Sequence, residues 1–211
     1  MPPTELPERS VPRSGRPGQL CSAHPPEEVQ AGALLLRRTR PADAQAVAAA
    51  VGASLAHLRP WMPWATAEAA DHRAQLARLE EADEMWERGT DYVYAVLAPD
   101  GAMAGNIGLH RRVGDGGIEI GYWIAADKTR QGYATAAARA LTAVALALPG
   151  VTRVEIHCDE ANTASAAVPR KLGYRLDRTY AHEPEAPGER GRRLIWVWEP
   201  DSAETGGLTG P

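Results

Sequence analysis

Apolar and polar residues alternate along this chain with two distinct periods. Ile118, Ile120, Tyr122 and Ile124 alternate with Glu119, Gly121 and Trp123, and Val154, Ile156 and Cys158 alternate with Arg153, Glu155 and His157. A period of two marks a strand with one face in a core. Further strands are predicted over residues 33–38, 92–98, 102–112, 174–182 and 192–198. Pro99-Asp100-Gly101 and Gly114-Asp115-Gly116-Gly117 supply turns between them. Helices are predicted over 41–56 and 67–88, the second with Thr66 as its N-cap. From Ala134 to Leu148 only Thr135, Arg139 and Thr142 are not apolar, which predicts a buried helix stopped by Pro149-Gly150. A shorter helix over 162–172 ends at Gly173. The order β-α-α-β-β-β-α-β-α-β-β predicts an α/β sandwich around a mixed, mostly antiparallel sheet.

The two ends break this pattern. Residues 1–31 hold seven prolines and few large apolar side chains, and residues 201–211 are polar and Gly-rich. Such segments cannot bury enough surface to offset their ordering entropy. The expected organisation is a Pro-rich disordered tail over 1–31, one folded domain over 32–200 and a second disordered tail over 201–211. A chain of 211 residues fits one domain on length alone.

Composition then narrows the partners. Two cysteines, Cys21 and Cys158, exclude a disulfide framework and a four-cysteine zinc site. No apolar run approaches the roughly 18 residues of a membrane span, and the first residues lack the apolar segment of a secretory signal. The expectation is a soluble, cytoplasmic protein with no membrane partner. Net charge is −4 and the basic residues are dispersed, which argues against nucleic acid. Of 23 basic residues only Lys128 and Lys171 are lysine, a bias we attribute to codon composition.

The most informative segment is Ile118 to Ala138, IEIGYWIAADKTRQGYATAAA. A strand runs through a short basic loop into the buried helix. The first N–H groups of that helix have no intrahelical partner, and the helix dipole reinforces them as an anion cradle. Gly132 lets the backbone approach a phosphate closely, because it has no Cβ. Arg130 adds a positive charge, and a pyrophosphate is the natural guest. The same segment also fits an ordinary strand–loop–helix connection.

Thr129-Arg130-Gln131-Gly132-Tyr133-Ala134 resembles the Gln/Arg-x-x-Gly-x-Gly/Ala signature of the acyl-CoA site in the GNAT superfamily of N-acetyltransferases. It departs at the first position, where Thr129 replaces Gln or Arg. Asn162-Thr163-Ala164-Ser165 followed by Arg170-Lys171-Leu172-Gly173-Tyr174 is similar to a second block of that family. His57-Leu58-Arg59-Pro60-Trp61-Met62-Pro63-Trp64 and Gly121-Tyr122-Trp123-Ile124 resemble its branch of ribosomal-protein N-terminal acetyltransferases, the RimJ/RimL-like enzymes. The resemblance spans about Ala33 to Trp198.

The resemblance implies a GNAT-like sandwich in which two strands splay and the pantetheine arm inserts between them. Acetyl-CoA is then the co-substrate, with no metal. The resemblance places Tyr122, Trp123 and Ile124 against the donor by their backbone groups. It places Arg130, Gln131, Gly132, Tyr133, Ala134 and Thr135 around the pyrophosphate, and Asn162 on the pantetheine arm. Ser165, on the same helical face as Asn162, would donate to the departing thiolate.

Direct attack of an amine on a thioester needs a proton acceptor, an oxyanion donor and alignment of two substrates. Glu119 is the first candidate for the acceptor, since it shares the strand face of Trp123. His157 and Glu155 are its rivals, and an unremarkable solvated glutamate is the alternative. Tyr180 is a second candidate acid beside Ser165. The Trp61–Trp64 stretch is expected to wall the acceptor pocket or to pack in the core. No covalent intermediate is required, so Cys158 is expected to be a small buried residue. His24, His72, His110 and His182 fit no metal-ligand spacing, and the chain has no HExxH, Walker loop or Gly-x-Ser-x-Gly elbow. The expected acceptor is a protein or peptide N-terminal α-amine. The alternatives are a small-molecule amine such as an antibiotic or polyamine, or a non-catalytic acyl-CoA-binding protein. A homodimer is among the expected states.

Overall fold

The computed structural model describes residues 24–200. The chain opens with β1 (Glu28–Ala31) and β2 (Leu34–Arg38), a hairpin turned at Gly32 with a φ of +65°. Then come α1 (Ala44–Leu58), led by a short 3₁₀ turn at Pro41–Asp43, and α2 (His72–Arg88). Three antiparallel strands follow: β3 (Asp91–Leu97), β4 (Met103–His110) and β5 (Gly117–Ile124). The remaining elements are α3 (Tyr133–Leu146), β6 (Arg153–Asp159), α4 (Thr163–Leu172), β7 (Arg175–Ala181) and β8 (Arg192–Trp198). They build one sheet in the order β1-β2-β3-β4-β5-β6-β8-β7, in which only β5 and β6 run parallel. The expected mixed, mostly antiparallel α/β sandwich is the fold observed.

The period-two patterns become the two faces of this sheet. Ile118, Ile120 and Tyr122 join an apolar cluster with Ala137, Leu141 and Ala145 of α3. Trp123 joins a second cluster with Val47 and Val51 of α1 and Leu79 of α2. Neighbouring strand residues point to opposite faces, so α3 and the α1–α2 pair cover the sheet from opposite sides. Trp86 fixes the far end of α2 by edge-on contacts with Tyr92 and Tyr94 at ring distances of 5.1 and 5.0 Å.

Two boundaries differ from expectation. Glu28–Ala31 is a strand, although it falls inside the segment expected to be disordered. Its order comes from pairing with β2, from the Tyr94 hydroxyl donating to Pro26 O at 2.8 Å, and from Glu27 bridging Arg38 and Arg40. Residues 1–23 and 201–211 of the expected tails lie outside the described residues. The second difference is at α2, which starts at His72 with Asp71 as its N-cap instead of Thr66. The Asp71 carboxylate accepts the N–H groups of Arg73 and Ala74, an arrangement Thr66 is too far upstream to provide.

Candidate active site

The site begins where β5 and β6 part. They pair only at Gly117–Arg153, Ile118–Val154 and Glu119–Glu155. Beyond Glu119, β5 stays bonded to β4 as far as Gly105–Ile124 and leaves β6. The backbone of residues 120–124 on the β6 side therefore faces an open wedge. Gly105, at a φ of +149°, allows the close β4–β5 approach here, since a Cβ would stand 2.1 Å from Trp123 O.

On one side of the wedge lies a cavity of about 490 Å³ at the start of α3. The first α3 helical bond runs from Ala136 N–H to Gly132 O, so the N–H groups of Tyr133, Ala134 and Thr135 precede it. Gly132 caps the helix at a φ of +80°, and no atom lies within 4 Å of where its Cβ would be. Arg130 adopts a φ of +59° beside it. Thr129, which departs from the family signature, donates its hydroxyl to Ala126 O at 2.9 Å and so braces the turn. The Gln131 side chain turns back to Asp127 O at 3.3 Å, while Arg130, Gly132, Tyr133, Ala134 and Thr135 line the cavity. Lys128 and Lys171, the only lysines of the chain, line it too.

On the other side lies a cavity of about 460 Å³ reached by Glu119, His157 and the Trp61–Trp64 stretch. The Arg112 guanidinium grips both oxygens of Glu119, at 2.8 and 2.9 Å. Burial alone would raise the Glu119 pKa, but the Arg112 hydrogen bonds and the charges of His157, Arg112 and His110 outweigh it and lower it. His157 Nδ1 stands 3.8 Å from Glu119, and its Nε2 is 2.7 Å from Glu155, a carboxylate only 1% exposed. Arg153 holds the second oxygen of Glu155 at 2.8 Å. The two rivals named from sequence thus form one chain with Glu119: a buried carboxylate, an imidazole, and a carboxylate at the cavity wall.

Six residues line both cavities: Trp61, Met62, Tyr122, Trp123, Asn162 and Ser165. Asn162 caps α4, its Oδ1 accepting Ser165 N–H at 3.0 Å. Ser165 Oγ is 3.1 Å from the Tyr122 hydroxyl. The Tyr122 side chain escaped the sequence reading, which used only its backbone; the signal was a tyrosine in an otherwise aliphatic inward face, whose hydroxyl needs a partner. Tyr180, expected as a second candidate acid, does not reach the site. It is 47% exposed on β7, stacks edge-on against His182 and lines neither cavity. Cys158 is buried, and burial pushes its thiol pKa up.

The β7–β8 loop closes the cavity that Glu119 lines. Gly188 N–H donates to Pro60 O at 2.8 Å, and a Cβ there would meet that oxygen at 2.5 Å. Asp159 pins the same loop by accepting the N–H groups of Arg190, Gly191 and Arg192 at 3.0–3.1 Å. Trp64 meets Trp123 edge-on at 6.1 Å and completes the wall.

Residues 33–175 match the acetyltransferase (GNAT) domain family. No curated protein sequence matches the chain. Among solved structures, the fold is similar to RimL, the ribosomal L7/L12 α-N-protein acetyltransferase, in complex with coenzyme A. That pair has a TM-score of 0.75 and 19% identity over 82% of this chain and 98% of that one. It is also similar to Mycobacterium smegmatis RimJ in complex with CoA-disulfide, with a TM-score of 0.73 and 24% identity over 88% and 93%. Ribosomal-protein-S5-alanine acetyltransferase from Vibrio fischeri gives a TM-score of 0.74 and 16% identity over 83% and 97%.

Proposed function

This chain belongs to the GNAT acetyltransferase family, and from that premise we propose that it moves the acetyl group of acetyl-CoA onto an amine, in the first place the N-terminal α-amine of a protein or peptide. One observation carries the reading. Two cavities meet at a shared wall of Tyr122, Trp123, Asn162 and Ser165, where the strands part. One cavity has an anion cradle at its floor and the other has a carboxylate–imidazole chain. A thioester reaching the wall from the first would face an amine held in the second. The activities of two proteins of similar fold, RimL on L7/L12 and the Vibrio fischeri enzyme on S5, favour a protein amine.

In this reading the N–H groups at Arg130–Thr135 hold the pyrophosphate and Arg130 adds charge. The backbone of Tyr122, Trp123 and Ile124 on the side that β6 has left lines the pantetheine arm, and Asn162 reaches it from α4. Acetyl-CoA supplies the activated thioester. Glu119 draws the cationic amine inward and accepts its proton through water, with His157 next in line. Ser165, braced by the Tyr122 hydroxyl, donates to the departing thiolate. Ribosomal-protein acceptors of the kind RimL modifies would place its action in the cytoplasm. No helix among the described residues is long and apolar enough to cross a membrane.

The test is an acceptor screen with CoA release as readout, using peptides with free and blocked N-termini beside polyamines and aminoglycosides. Release with free peptides only is the expected result. Release with polyamines or aminoglycosides instead would move the acceptor class. CoA binding without release for any acceptor would leave a binding protein.

A further inference from the structure

Charged side chains around the acceptor cavity are matched one against another, with one exception. Arg112 is taken by Glu119. Arg193 lies 3.7 and 3.8 Å from Glu185 and Glu189. His157 is held by Glu155, and His110 by Asp91. Asp159 is filled by backbone N–H groups. Arg78 alone among these has no hydrogen bond and no carboxylate within 4.0 Å among the described residues; Glu81 acts on it only through space.

Its side chain nonetheless borders the cavity. Gln75, Arg78, Leu79 and Ala82 of α2 all line the cavity, spaced three and four apart on one helical face. The Arg78 guanidinium lies over the Trp64 ring at 4.8 Å, and Trp64 in turn abuts Trp123 at the shared wall. A guanidinium stacked on an aromatic face keeps its N–H edge free, in the fork that matches a carboxylate. Arg78 is exposed overall, but the burial of part of its side chain against Trp64 lowers its pKa, an effect a matching anion would offset.

We propose that Arg78 binds a carboxylate carried by the acceptor, so that the preferred substrate is an amine bearing an acidic group, foremost a peptide N-terminus with Asp or Glu among its first few residues. The proposal rests on the reading of this cavity as the acceptor site. Apart from Glu119, which receives the amine in that reading, the carboxylates lining it face Arg193 or backbone N–H groups, which disfavours a polycation. A free amino dicarboxylate shares the required chemistry.

The experiment is calorimetric titration of the full chain in the presence of CoA. The probes are C-terminally amidated tetrapeptides with Asp at the second, third or fourth position, each beside its Asn isostere, and free glutamate beside glutamine. At least one acidic probe should bind about tenfold more tightly than its neutral counterpart, as expected for one charge-assisted hydrogen-bonded pair. Which arm responds separates a peptide from a free amino acid. The advantage should vanish in Arg78→Gln and pass to Lys-bearing peptides in Arg78→Glu. CoA affinity should be unchanged in both, because Arg78 does not line the CoA cavity, and this verifies folding. Equal binding within every acidic and neutral pair, or a preference that survives Arg78→Gln, overturns the proposal. CoA release followed in parallel keeps the two readings apart. An acid preference without acetyl transfer would retain Arg78 and sink the proposed activity, whereas transfer without acid preference would do the reverse.

Discussion

Glu119 combines two opposed demands. Its carboxylate is only 11% exposed, yet the Arg112 fork keeps its pKa below the ordinary value. It therefore stays ionised through neutral pH, attracts an ammonium strongly and holds a proton only briefly. Glu119→Gln keeps the shape but removes the charge, and turnover should fall by about 10²–10⁴ with CoA affinity hardly changed. CoA release at saturating acetyl-CoA measures the first and calorimetry the second. Full turnover with an unaltered pH profile would pass the role to His157, which Glu155 orients. Ser165→Ala should cost less, because the Tyr122 hydroxyl stands 3.1 Å away and solvent can protonate a thiolate. The face of Glu119 was legible in the period-two pattern that also carries Trp123. Its partner was not. Arg112 lies seven residues earlier, and the pair forms only because the β4–β5 register sets His110 opposite Glu119. Nothing in the local pattern encodes that register.

At the scale of elements, the legible parts were those fixed by local periodicity and turn chemistry. The strands of the β3–β5 meander, the helix after Gly132 and the short helix before Gly173 all lie where the pattern put them. β1 was missed because Pro25 and Pro26 precede it and its sequence, EVQA, has little apolar content; it is held by its neighbour, β2. The depth of the wedge was equally hidden, since it depends on where a pairing between residues more than thirty apart stops. The cradle and the closing loop can be tested separately. Gly132→Asp places a Cβ where the φ of +80° disfavours one and a negative charge where a phosphate would sit. CoA binding should be abolished in calorimetry with the far-UV spectrum intact. Gly188→Ala drives a Cβ against Pro60 O and should lift the β7–β8 loop off the α1–α2 connection. The expected result is a raised acceptor KM with unaltered CoA affinity, at a stability loss of about 1–3 kcal/mol in urea titration.

Across the whole molecule, two buried charges, Arg38 and Asp159, tie together distant parts of the chain. At the β1 end, Arg38 is 4% exposed and gathers Glu27, Asp83 and Glu87 at 2.6–3.0 Å. A chain starting at residue 32 would strip β1 and Glu27 from this network, and its Tm should drop by about 5–10 °C, the equivalent of roughly 2–3 kcal/mol in a domain of this size. The second is Asp159, 2% exposed at the C-terminal end of the interior strand β6. Burial alone would raise its pKa, but N–H groups of Ala161, Arg190 and Arg192, together with His182, overcome this and hold it at about 2. A carboxyl depressed in the folded state stabilises it above the unfolded pKa and loses that contribution as pH falls through the folded one. The window therefore runs from about 4, the ordinary value of an aspartate, down to about 2. Asp159→Asn should be less stable at pH 7, because the amide nitrogen faces backbone donors and leaves N–H groups unmet. It should also lose less on acidification. Glu27, Glu119 and Asp177 are depressed as well, so both proteins retain some acid slope, and the difference between them isolates Asp159. Urea midpoints of both proteins at pH 7 and pH 3 measure it. A smaller gap between them at pH 3 than at pH 7 is the expected outcome, and a gap independent of pH would show that Asp159 is not ionised in its cradle of N–H groups.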